Sequence, residues 1–123
     1  MKTFRGEEEE EIRDIVQLLN EECSSGATIL VEGVGDRGAL IERGVKGKIY
    51  TLNELLRIVE NGLDCVKVIP LLDLDREGES ILRWVGEKFS SYLQLDYSLR
   101  SRLRKTQRYR RGLRSIQQIF MAP

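Results

Sequence analysis

Asp73-Leu74-Asp75-Arg76-Glu77-Gly78-Glu79 sets four carboxylates within seven residues. Carboxylates at that density repel one another unless a cation neutralises them. Oxygen ligands in a chain without histidine suit magnesium, with manganese as a possible substitute, better than zinc. The missing histidine also removes Ser-His-Asp and Cys-His nucleophilic schemes. Acid–base work then falls to carboxylates, lysine, tyrosine or metal-bound water.

The elements around the acids decide whether they can act together. Val66 to Leu72 is mostly aliphatic and reads as a buried parallel strand, and Ile81, Leu82, Val85 and Phe89 follow at helical spacing over about 77–90. The acids therefore stand where a strand hands over to a helix, the edge at which open α/β sheets bind ligands. Ala27 to Val31 predicts another buried strand, and it ends in Glu32-Gly33-Val34-Gly35-Asp36. Strand ends of this kind lie side by side in a doubly wound sheet. Asp73 and Asp75 would then hold the metal, while Glu32 completes the shell or moves a proton. Gly33 and Gly35 allow close backbone approach to a bound group.

The remaining elements fit an alternating order. Ile12, Ile15, Val16 and Leu19 share one helical face over 7–22, and Glu7 to Glu11 suit the positive end of that helix. Asp36 is expected to N-cap a short helix carrying Ala39 and Leu40. A short strand is expected within Val45 to Tyr50. Thr51 with Glu54 forms a capping box for a helix ended by Asn61-Gly62. Residues 94–97 predict a last edge strand. Strands alternating with helices imply an α/β fold with a parallel sheet covered on both faces.

Val31-Glu32-Gly33-Val34-Gly35-Asp36-Arg37-Gly38-Ala39-Leu40 resembles the VEGxxDxxAL motif of Toprim domains in primases and ribosomal-RNA maturation nucleases. Leu72 to Ile81 resembles the second Toprim motif in its DxDREGExI form, as in type IA topoisomerases. The likeness extends over about 27–97. It implies a Toprim-like (Rossmann-like) domain with a central, mainly parallel sheet of about four strands. It also implies that Glu32 is a general acid or base that contacts metal, that Asp73 and Asp75 bind magnesium, and that Glu77 is an additional metal-binding acid. Glu79 is a weaker match, further into the helix. Magnesium held this way supports chemistry on nucleic-acid phosphodiester bonds, as a nuclease or nucleotidyl transferase, with RNA processing one setting. Two other classes stay open: a non-catalytic nucleic-acid-binding module of an RNA-processing or DNA-repair complex, and an enzyme on small phosphorylated substrates.

The formal charge is zero, yet residues 99–123 carry eight bases and no acid. Arg100, Arg102, Arg104, Lys105, Arg108, Arg110 and Arg111 are the candidate nucleic-acid contacts, since dense arginine suits phosphate. Tyr97 and Tyr109 are candidate stacking partners for bases. The alternative is that these arginines pair with the acidic N-terminal helix. Leu99, Leu103, Leu113, Ile116 and Phe120 are expected to dock the segment on the body. Three parts follow: an acidic helix over 1–26, the core over 27–97 and a basic helical segment over 98–123.

At 123 residues the chain suits one domain. No apolar stretch approaches the ~20 residues that cross a bilayer, and the N-terminus lacks a signal-peptide pattern. A cytoplasmic protein is expected, with Cys23 and Cys65 reduced, nucleic acid (RNA or DNA) as partner, a protein partner left open, and no membrane.

Overall fold

A computed structural model describes residues 4–62 and 66–123. Four parallel strands form one sheet in the order β2-β1-β3-β4. They are β1 (Thr28–Val31), β2 (Ile49–Thr51), β3 (Val66–Pro70) and β4 (Leu93–Leu95). Ile29 pairs with Ile49 on one side and Ile69 on the other, and Val68 pairs with Leu95. The helices are α1 (Phe4–Ser24), α2 (Val34–Glu42), α3 (Leu52–Glu60), α4 (Arg76–Phe89), α5 (Ser98–Leu103), α6 (Gln107–Arg110) and α7 (Ile116–Met121).

Successive strand residues face opposite sides of a sheet, and here they feed two cores. Ile29, Val31, Ile69 and Leu71 pack with Ile12, Ile15 and Leu19 of α1, Leu40 of α2, Leu99 and Leu103 of α5, and Ile116, Ile119 and Phe120 of α7. Leu30, Val68 and Leu72 pack with Leu55 and Val59 of α3 and Val85 and Phe89 of α4. Each fully buried aliphatic side chain contributes about 1.5–3 kcal/mol. The sheet is therefore covered on both faces, as its aliphatic strands require.

Several boundaries differ from expectation for local reasons. The strand expected in 45–50 shrinks to Ile49–Thr51, because Gly44 turns the chain at φ +98° and Val45 donates back to the Leu40 carbonyl. Thr51 closes the expected capping box: its Oγ1 accepts from Glu54 N–H, and the Glu54 carboxylate accepts from Thr51 N–H. β3 ends at Pro70, although Leu71 N–H still donates to the Leu30 carbonyl at 2.8 Å. The expected basic helical segment at the C-terminus is three short helices. Cys23 is a free thiol, and Cys65 lies outside the described residues.

Candidate metal centre

β1 and β3 are parallel neighbours, so the residues that leave them emerge at one sheet edge. Glu32 leaves β1 and its Oε1 accepts from the Asp73 N–H at 3.2 Å, joining the two acidic loops. Leu74 anchors the second loop, being 3% exposed within the core between two outward aspartates. Asp75 N-caps α4, with its Oδ1 accepting from Gly78 N–H at 2.7 Å. Asp73 Oδ1 accepts from the Ile116 N–H at the start of α7, at 2.9 Å. These bonds leave the second oxygen of Glu32, Asp73 and Asp75 without a hydrogen-bond partner among the described residues.

Burial and mutual repulsion make Glu32 and Asp73 hold protons more tightly than free carboxylates. Burial pushes the Glu32 carboxyl up, and the charges of Asp73, Asp36 and Asp75 add to it, against the Asp73 N–H. Burial likewise pushes Asp73 up, reinforced by Asp36, Asp75 and Glu77 and opposed by the Ile116 N–H. A cation placed among these groups would relieve the repulsion.

Asp36 belongs to this field, which sequence reasoning missed by treating it as a helix cap. Gly33 is the N-cap of α2, and Asp36 reaches back from the first turn to accept the Gly33 N–H at 3.0 Å. Glu77 is exposed in the first turn of α4. Glu79 turns away: Arg100 and Arg104 bind its Oε1, and the hydrogen bond from Arg100 holds its carboxyl below the usual range.

Gly78 explains how α4 sits so close to the loop. A Cβ at this position would stand 1.8 Å from the Asp73 carbonyl oxygen. No side chain fits there.

The donor set suits a hard cation, being all oxygen with one oxygen free on each of three acids. Among the described residues no three acids converge tightly enough to form a closed cage. Magnesium does not need one, since it takes one or two carboxylates and fills its shell with water and substrate phosphates. The residues that would hold it are Asp73 and Asp75, with Glu32 and Glu77 at the same edge.

The basic segment is rearranged relative to expectation. Arg100 is 4% exposed and Arg108 is 0% exposed, so neither can meet a polyanion. Arg108 lies between Glu8 and Glu9 at 3.1 and 2.7 Å and also donates to the Ile119 carbonyl. Arg111 pairs with Glu8, and Arg43 with Glu9. Burying a guanidinium costs several kcal/mol unless it is paired, and the acidic start of α1 supplies the partners. Arg104 is held on Glu79 beside the Tyr109 ring. Arg102, Lys105 and Arg110 remain exposed with no ion pair among the described residues, as does Arg76 at the start of α4. Of the two tyrosines, Tyr97 is exposed, whereas the Tyr109 ring is covered by Arg114 at 3.8 Å.

No protein-family model matches the chain, and no curated protein matches it. The chain is similar to a solved structure of a protein from Aquifex aeolicus, at 29% identity and a TM-score of 0.62, over 75% of this chain and 87% of that one. The two chains share an α/β fold built on a parallel sheet flanked by helices.

Proposed function

We propose that this chain is a magnesium-dependent Toprim protein that acts on nucleic-acid phosphodiester bonds, as a nuclease or nucleotidyl transferase. One observation carries the reading: Glu32 and Asp73, remote in sequence, meet at one sheet edge beside Asp75, and each keeps a free oxygen. Phosphodiester transfer needs charge stabilised on the attacking, leaving and non-bridging oxygens, and bound magnesium supplies this. Asp73 and Asp75, whose carboxylates are fixed by Ile116 N–H and Gly78 N–H, would hold the ion. Glu32, at the same edge with Oε2 free of hydrogen bonds, is suited to move a proton to or from the reacting oxygens. Arg76, exposed next to Asp75, is suited to a substrate phosphate. Arg102, Lys105 and Arg110 are the cations left to follow a longer strand.

The reading is supported by the two motif likenesses and by the shared edge. The non-catalytic alternative, a nucleic-acid-binding module within a complex, draws on the absence of a closed acid cage among the described residues. End-labelled RNA and DNA, incubated with magnesium or manganese, separate the two. Metal-dependent cleavage or joining that is lost in Glu32→Gln supports the enzyme. Metal-independent binding without turnover supports the module. No helix among the described residues is long and apolar enough to cross a membrane, and a cytoplasmic setting is part of the proposal.

A further inference from the structure

We propose that Arg100 is the positioning residue of the metal loop, gripping its backbone from beneath rather than touching nucleic acid. Its Nε donates to the Leu72 carbonyl at 3.0 Å and its Nη2 to the Asp73 carbonyl at 2.6 Å. Its Nη1 donates to Glu79 Oε1 at 2.7 Å. One planar fork thus ties the end of β3, the acid loop and the first turn of α4 into a single unit. These two carbonyls lie just beyond the sheet, where strand pairing has stopped, so a buried donor must satisfy them. Arg100 is that donor, and at 4% exposure it is fixed in place.

Glu79 completes the device. Its Oε1 pairs with the guanidinium and also with Arg104, so the fork is anchored on α4 as well as on the loop. The same segment adds two further ties: Leu74 N–H donates to the Arg114 carbonyl at 2.7 Å, and Ile116 N–H donates to Asp73 Oδ1. Residues 98–116 therefore form the second wall of the acid site. Lysine cannot replace Arg100, because one ammonium lacks the fork geometry that spans two carbonyls and a carboxylate.

The inference rests on the metal reading for its consequence but not for its geometry, and the test separates the two. Amide hydrogen exchange is measured at Asp73, Leu74 and Ile69 in the wild type, Arg100→Met and Arg100→Lys, with Mn2+ affinity measured by electron paramagnetic resonance. Arg100→Met should speed exchange at Asp73 and Leu74 by about tenfold or more while Ile69 in β3 stays slow, because local opening is separable from global unfolding. Mn2+ affinity should fall by about 10- to 100-fold, the usual effect of removing a group that orients metal ligands. Arg100→Lys should fall between the two proteins. Equal acceleration at all three amides, or a loosened loop with wild-type Mn2+ affinity, would overturn the proposal. If the wild type binds no Mn2+, the metal reading fails, and the exchange pattern alone decides whether Arg100 positions the loop.

Discussion

Two glycines in two helices should respond to alanine with opposite signs. Gly38 lies inside α2 with nothing within 4 Å of a Cβ added there. Gly38→Ala should therefore gain helix propensity and stabilise the protein by about 0.5–1 kcal/mol. Gly78, in the first turn of α4, has the same propensity to gain. Its Cβ, however, would stand 1.8 Å from the Asp73 carbonyl oxygen and 2.7 Å from the carbonyl carbon. Both are backbone atoms that no rotamer change can move aside. Helix and loop would have to part by more than ~1 Å to reach even a tight contact. Overpacking of this kind costs about 1–3 kcal/mol. The separation also stretches the 2.7 Å cap from Gly78 N–H to Asp75 Oδ1, a bond worth about 1 kcal/mol. Repulsion outweighs propensity, and Gly78→Ala should be less stable than the wild type by about 2 kcal/mol or more. Urea unfolding followed by circular dichroism measures both variants. A Gly78→Ala protein as stable as Gly38→Ala would refute the close approach of α4 to the acid loop.

Other predictions follow from the ion pairs and caps. Arg108→Met should cost about 1.5–3 kcal/mol, because it leaves the Ile119 carbonyl without its donor and the buried Glu8 with Arg111 alone; unfolding in urea with a loss under about 1 kcal/mol would contradict a buried hub. The Glu9 carboxyl is held down to about 2, first by its hydrogen bond from Arg43 and then by Arg108. A depressed carboxyl stabilises fully above its unfolded value near 4.5 and loses that contribution as pH falls towards 2. Discounted for partial exposure, the contribution is about 1–2 kcal/mol. Glu9→Gln should flatten the stability–pH curve in that window, and an unchanged acid limb would count against the pairing. Asp75→Ala should cost about 0.5–2 kcal/mol through loss of the α4 cap; thermal unfolding without added metal measures it.

The meeting of Glu32 with Asp73 was legible because strands alternating with helices put both strand ends at one edge, a consequence of connectivity alone. The Thr51–Glu54 box and the buried stripe of α1 were legible for the same kind of reason, being local patterns of three to four residues. The fate of the arginines was not. A run of bases without acids reads as a solvated face, and burial of Arg100 and Arg108 depends on where Glu79, Glu8 and Glu9 lie in space. Of the two readings weighed for the basic segment, pairing with the acidic helix describes Arg108 and Arg111. Arg100 follows neither reading, since it serves the loop and Glu79. Gly78 looked like one more residue of a motif, and only the approach of the Asp73 backbone gives it a steric reason. Asp36 was read as a cap, and its backbone bond to Gly33 hides a second effect on the charge of Glu32 and Asp73.

The central claim is that these acids form a cation site used in phosphodiester chemistry. Calorimetric titration of magnesium into the wild type and into Asp73→Asn/Asp75→Asn, near neutral pH, tests it most directly. Saturable binding is expected in the wild type and should disappear in the double variant while both proteins remain folded. Equal binding in the two proteins would place the cation elsewhere and contradict the account.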